Sequence, residues 1–436
     1  MGMLELVFVG LLGLLVGIAL GLFSVFPIYF AGFVVYALHP VWSPELLLVF
    51  WATAAIGSQF FGSVSTITLG IPGEASALVW INDLKGMSLR ERNHLLYHTA
   101  RGSLVAGMIA LGVVWIAYHW ISAYSYFLSS VNFVLAMFTL VIALFAFTDK
   151  RPLIAIGLLC LGTFLGPVNN FALPPWWYHV QLWFGNTSFF MLIASMMLIP
   201  DLVMDRHNFS HIKTDHFEPA DNEERTWWTI SKSTVIGLFS GLVPGPSAET
   251  ASALAYHAHK KKGRFHQIVA AETANNPGVV MMLLPFFTMG LPITASALII
   301  STVLDVKNID IVDFAASSSM VFTSISVFDV VIFVATIATI FYYLLSTRFI
   351  DIYVKVVKFL YSKSSYLLFI IVGTMVLVDM NINETPVWLY TILLLFFTAF
   401  GIWLKYKCIN PILFIFGTMF GDKLIWTLMQ FTSINF

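Results

Sequence analysis

Thr68-Leu-Gly-Ile-Pro-Gly-Glu-Ala-Ser-Ala-Leu78 breaks a long apolar run with glycines and a proline, and Thr288-Met-Gly-Leu-Pro-Ile-Thr-Ala-Ser-Ala-Leu298 repeats it about 220 residues later. The Thr, Gly, Pro and Ala-Ser-Ala-Leu positions agree. Upstream of each copy stands a second echo, Gly21-Leu-Phe-Ser24 and Gly237-Leu-Phe-Ser240. A repeat decides the architecture before any local motif does. Two matches in the same order, at nearly the same offset, read as a duplication.

Composition sets the class. Of the 436 residues, 59% are hydrophobic and 10% charged, with a mean hydropathy of +0.86, whereas soluble domains are about a quarter charged. Several runs reach the roughly 20 residues a helix needs to cross a hydrocarbon core, and only helices or closed barrels satisfy their backbone there. The expectation is an all-α polytopic membrane protein of roughly 10–12 segments, some broken or re-entrant at the repeated element. A net charge of −1 argues against nucleic acid as a partner. Cys160 and Cys408 sit far apart in apolar contexts, which suggests neither a disulfide nor a metal site. Lys85 is the first basic residue, so the N-terminus lacks the basic region of a cleaved signal peptide, and residue 1 onward is expected in the mature protein.

The repeat divides the chain into a first transmembrane copy (1–204), a hydrophilic linker (205–232) and a second copy (233–436). Loops rich in Lys and Arg lie on the cytoplasmic side. In the first copy these are 83–101 and 149–152; in the second they are 257–266, 348–363 and 405–407. At the repeat offset the basic loops of one copy fall opposite the uncharged or acidic loops of the other. The copies are therefore expected to be inverted, with both termini outside and the linker cytoplasmic. Inverted copies carrying paired Gly/Pro breaks point to a secondary transporter with its site near the midplane.

At these residues the chain resembles the large membrane subunit (TctA) of the tripartite tricarboxylate transporters. The resemblance rests on Gly70-Ile-Pro-Gly-Glu-Ala-Ser-Ala77, Gly241-Leu-Val-Pro-Gly-Pro-Ser-Ala248, Ala271-Glu-Thr-Ala-Asn-Asn276, Leu284-Pro285 and Thr288-Met-Gly-Leu-Pro292. It extends over most of the chain, including Gly157 to Pro167. It implies a multi-pass protein of the inner membrane that works with a small membrane subunit and a periplasmic solute-binding protein. It also implies uptake of tricarboxylates or related carboxylates on a Na+ or H+ gradient, with no other cofactor.

The residues themselves suit that chemistry. A helix restarting after Gly70-Ile-Pro72-Gly73 or Gly290-Leu-Pro292 presents free N–H groups and a partial positive charge to an anion. Ser76 and Ser296 fall in the first turn, and Thr294 can cap its helix. Thr288 precedes the second break, and Pro244-Gly245 with Ser247 forms a further interruption. Asn275 and Asn276 supply carbonyl oxygens for Na+ or a polar substrate, against the plainer reading of an Asn-Pro helix break. Glu74, Glu249 and Glu272 lie in or beside apolar runs, where a charge costs at least about 2.5 kcal/mol. They are the candidates for ion coupling, unless Glu249 and Glu272 are merely solvated beside the Lys260 to Arg264 cluster. The copies differ at Gly73-Glu74 against Ile293-Thr294, so the second copy is expected to supply the main carboxylate contact. The Gly-x-Pro and Ala-Ser-Ala elements also serve as kinks and close-packing faces in membrane bundles. His257 and His259 read as part of a solvated loop, since no third ligand stands at metal spacing.

The rival classes are an intramembrane transferase acting on a lipid-linked substrate and a non-transporting membrane scaffold. The first needs a clustered acid motif that this sequence lacks. The second gives no uptake even with partners supplied.

Overall fold

The computed structural model describes residues 3–22, 27–38, 40–69, 80–84, 87–122, 151–166, 226–242, 247–289, 326–362 and 386–407, with scattered residues chiefly in 188–204 and 373–418. No strand occurs among them. In chain order the helices are α1 (Met3–Leu22), α2 (Pro27–Leu38), α3 (Pro44–Leu69), α4 (Leu89–Ser122), α5 (Pro152–Leu165) and α6 (Ile199–Met204). There follow α7 (Trp227–Ser240), α8 (Ser247–Ala258), α9 (Arg264–Met281), α10 (Leu283–Met289), α11 (Val327–Thr347), α12 (Ile350–Ser362) and α13 (Val387–Tyr406). Among the described residues, α1, α3, α4, α11 and α13 contain stretches long and apolar enough to cross a membrane. Their outer faces carry large exposed apolar side chains such as Leu4, Phe8, Trp120, Phe333 and Leu395, as lipid-facing helices require. The span in α3 is almost wholly buried, which makes it a central helix.

The chain forms two compact units, one from residues 1–130 and 209–365, the other from 131–208 and 366–436. In the first unit the repeat has an exact register. Helix α8 begins and ends 220 residues after α2, and α9 with α10 spans 264–289, which is 220 residues after the 44–69 of α3. The contacts recur with it. A Cβ on Gly17 would strike the carbonyl oxygen of Ala54, and one on Gly237 that of Ala274. Gly21 and Gly241 stand in the same way against the carbonyl oxygens of Ser58 and Gly278. Glycines one turn apart let α1 lie on α3, and α7 on α9, backbone to backbone. Gly17 and Gly21 thus correspond to Gly237 and Gly241, and the Gly-Leu-Phe-Ser echo between Gly21 and Gly237 is displaced by one turn from the true equivalence.

Contact order along the helices gives their directions. Gln59 meets Asn275 and Trp51 meets Phe286, so α3 runs antiparallel to α9 and α10. Gly107 faces Thr339 and Trp115 bonds Asp329, so α4 runs antiparallel to α11. By contrast His98 packs on Phe265 and Gly102 on Thr273, which makes α4 parallel to α9. The starts of α4, α7 and α9 meet at one end, where His98 lies 3.1 Å from the Thr226 hydroxyl and Arg101 stacks 4.3 Å over Trp227. The basic segments around Arg90–Arg101 and Lys260–Arg264 therefore share an end of the unit with the beginning of α7. About two-thirds of the segment read as a polar loop, 83–101, is the start of α4, which begins at Leu89. Its entry is fixed by Glu91, which accepts from the Ser88 backbone N–H at 2.7 Å and its hydroxyl at 2.9 Å, a reciprocal cap.

In the second unit small residues again set the packing. Gly162 of α5 and Gly166, which caps its end, approach the backbone at Phe414 and Thr418, and Gly401 of α13 that of Met196.

Candidate functional site

Among the described residues of the first unit, the buried carboxyl and carboxamide side chains gather on α9. Glu272, Thr273, Asn275 and Asn276 are 1%, 0%, 0% and 2% exposed. At the repeat offset α3 carries Ala52, Thr53, Ala55 and Ile56 in their places. One chain thus builds the same helix twice, once with an apolar strip and once with a carboxyl and two carboxamides. The fold does not require those groups, because α3 packs without them. Burial also overturns the solvated reading of Glu272. The helix runs through Pro277 to Met281, so Asn275 and Asn276 lie inside it and mark no break.

Gln59 of α3 donates to the Asn275 side-chain oxygen at 3.0 Å, so the polar strip of the second copy is held by a residue of the first. On the far side of α9, Ser252 of α8 donates to the Ala271 carbonyl at 3.0 Å. The two breaks begin alike. Thr68 donates to the Val64 carbonyl and Thr288 to the Leu284 carbonyl, each at 2.6 Å, which closes the last turn before Gly70 and Gly290. Arg92 brackets the first break, donating to the Leu84 carbonyl at 3.1 Å and the Thr68 carbonyl at 3.5 Å. Sequence reading passed over Arg92 as one loop cation among several.

Other predicted positions lie outside the described residues: Gly70, Pro72, Gly73, Glu74 and Ser76 in the first break, Pro244 and Gly245, and Gly290, Pro292, Thr294 and Ser296 in the second. The backbones of Ser247 and Glu249 are helical in α8, while their side chains also lie outside the description.

Where α8 ends, the Tyr256 hydroxyl donates to Asp83 in the short turn Ile81–Leu84, joining the sequence after the first break to the second copy. Burial, then the Asp83 carboxylate, pushes the Tyr256 phenol up to about 12. His259 is 2% exposed, so it is not the solvated loop residue the sequence suggested. Its Nδ1 lies 2.9 Å from the Ala255 carbonyl, and burial lowers its pKa, with Lys232 and Lys262 adding to the effect. Among the described residues no three His, Cys, Asp or Glu side chains are grouped to hold a metal.

The second unit holds a buried acid that the sequence reading missed. Asp379 is 1% exposed and accepts from Ser188 at 2.5 Å and Tyr390 at 2.6 Å. Its signal was available, a single Asp in an otherwise apolar run.

Repeated close-packed helices, apolar outer faces and an interior strip of carboxyl and carboxamide groups define a multi-pass membrane protein of the transporter class. The chain belongs to the tripartite tricarboxylate transporter TctA family, whose sequence profile matches residues 7–416. That is a transporter family, and the chain is accordingly no enzyme. It is also similar to an uncharacterized 52.8 kDa protein in the TAR-I ttuC' 3' region of Agrobacterium vitis, at 23% identity over 316 residues. The match covers 65% of this chain and 60% of that relative's length. No solved structure matches the chain.

Proposed function

We propose that this chain is the large transmembrane subunit of a binding-protein-dependent secondary transporter, taking up tricarboxylates or related carboxylates across the inner membrane on a Na+ or H+ gradient. A periplasmic solute-binding protein delivers the substrate, and a small membrane subunit completes the complex. Family membership supports the transporter class and the existence of further subunits.

The observation that carries the arrangement is the antiparallel packing of equivalent helices. Helix α3 meets its own counterpart α9–α10 head to tail, and α4 meets α11, whose residues 327–342 answer 107–122. An operation that superposes one copy on the other would then reverse the helices, which supports the reading of an inverted repeat. Positive-inside orientation agrees, since the basic segments gathered at the starts of α4 and α9 then face the cytoplasm together.

In this reading the substrate lies between the two breaks. The first is formed by Gly70, Pro72, Gly73 and Ser76, the second by Thr288, Gly290, Pro292, Thr294 and Ser296. Asn275 and Asn276 line the approach, and Pro244, Gly245 and Ser247 form its flank. Glu74, Glu249 and Glu272 serve coupling. Thr294 leaves its helix end positive whereas Glu74 fills its own, so the second break holds the carboxylate. The test is uptake of labelled tricarboxylate into vesicles that contain this chain with its two partner subunits. Thr294→Asp should abolish carboxylate binding, and Glu74→Gln should weaken ion dependence more than substrate affinity. Normal binding by Thr294→Asp together with lost binding by Glu74→Gln would replace this division with a site shared equally.

A further inference from the structure

The contact of α4 with α9 is built around Gly102, where a Cβ would strike the Thr273 hydroxyl and approach Ile230 of α7. Three helices meet there. Within one turn of that contact each carries a hydroxyl that is 0% exposed and has no hydrogen-bond partner among the described residues: Ser103 of α4, Ser233 of α7 and Thr273 of α9. Ser233 reaches the junction by register. Helix α7 runs parallel to α9 with Gly237 on Ala274, so one turn earlier Ser233 falls opposite Ala270 to Thr273. Its counterpart Gly13 faces Phe50 and Thr53 in the first copy.

Among the described residues, Ser346 is the one other buried hydroxyl without a partner. Thr53, Thr68, Thr234, Thr288 and Thr339 all donate to a carbonyl four residues back. The comparison is sharpest between equivalents, since Thr53 is closed on its own helix and Thr273 is not. Buried polar groups left without partners are costly, and three at one junction, from three helices, mark a place built to receive something. A further oxygen is released beside them. Pro277 has no N–H for the Thr273 carbonyl, so that carbonyl loses its helical partner. Gly57, which stands at the equivalent place in α3, retains its N–H. The buried carboxyl of Glu272 is next in the chain.

We infer that the junction of α4, α7 and α9 binds one hard monovalent cation of the Na+ type. Ser103, Ser233 and the two oxygens of Thr273 are its ligands, and Glu272 supplies the balancing charge. Oxygens of hydroxyls and of released helix carbonyls are what such an ion takes in membrane proteins. The inference rests on the transporter reading and gives it a coupling ion. A water molecule would also satisfy the hydroxyls, but it would not distinguish one cation from another.

The experiment uses the purified full chain in detergent with no carboxylate present. Its melting temperature is followed through a NaCl series in which choline chloride keeps ionic strength constant. A saturable rise specific to Na+ is expected, because a ligand of the folded state stabilises it in proportion to its occupancy. Ser233→Ala and Thr273→Val should each raise the half-saturating Na+ about tenfold or more, one ligand's worth of binding. Neither should change the melting temperature in choline much, since Gly13 and the self-closed Thr53 fill those places in the first copy. Thr273→Ser, which keeps the hydroxyl, should retain the Na+ response. Equal melting in NaCl and choline chloride refutes the site, and so does a parental Na+ response in both truncations or its loss in Thr273→Ser. Carboxylate response is scored separately, by adding citrate at fixed Na+. A chain that responds to citrate and not to Na+ loses this site and keeps its proposed function; the converse keeps the site and removes the function.

Discussion

Asn275 shows how one position separates fold from function. Its counterpart Ala55 packs in α3 without a carboxamide, so Asn275→Ala should fold, with a stability loss of about 0.5–1.5 kcal/mol for the lost hydrogen bond with Gln59. Uptake should fall far more than stability, and thermal melting set beside vesicle transport checks this. If melting collapses, the residue is structural. Removing Gln59 as well should cost less than the two single changes added together, because the two side chains share one hydrogen bond. His259 carries a different prediction. Its pKa in the fold lies below the ordinary histidine value, so the native state binds fewer protons than the unfolded chain as the pH drops below about 6.5. Stability should therefore decline on acidification through that range and be flat above it. His259→Gln should flatten the decline, which melting between pH 8 and 5.5 would reveal.

At the scale of helices, the glycine positions set what the packing tolerates. Gly17 and Gly237 each face a carbonyl oxygen of the neighbouring helix, whereas a Cβ on Gly112 would meet nothing within 4 Å. Replacing either of the first two by Val should cost about 1–3 kcal/mol or more through forced separation of the helices. Gly112→Ala should be neutral or slightly stabilising, since alanine is the better helix former. Melting of the three variants gives the comparison. The sequence made these helices legible through their apolar runs, and the Gly/Pro break revealed the repeat. The one-turn error in pairing Gly21 with Gly237 has a physical cause: glycines recur every four residues on this face, so a short match slides by a turn without losing its pattern. Only the neighbouring carbonyls, Ala54 and Ala274, fix the register. Arg92 was missed for another reason, since its role depends on Thr68 and Leu84, partners that no local pattern names, whereas Asp379 stood in view as a lone acid in an apolar run.

For the molecule as a whole, the duplication and the membrane class could be read from composition and repeat, and family membership followed from the ordered motifs. The specialisation of the second copy was only half legible. Glu272, Asn275 and Asn276 were singled out by type, yet their meaning came from burial and from the apolar residues that replace them in α3. Topology supplies the last prediction. Single cysteines placed in 83–101, 205–232 and 257–266 should be shielded from an impermeant thiol reagent applied outside, whereas those in 167–187 should react. Labelling of the Lys260 to Arg264 segment from outside would invert the assignment of both basic segments at once, because α4 and α9 start at the same end.

Helices held backbone to backbone have few side-chain rotamers at their interface to rearrange. The pairs α1 with α3 and α7 with α9 are therefore stiff beams, which cannot slide or roll without carbonyls colliding with Cα atoms. Whatever displacement moves a solute across the bilayer must carry each beam as a block. Amide exchange should then be slowest along the Gly17–Ala54 and Gly237–Ala274 seams, and substrate should leave that rate unaltered while changing it elsewhere.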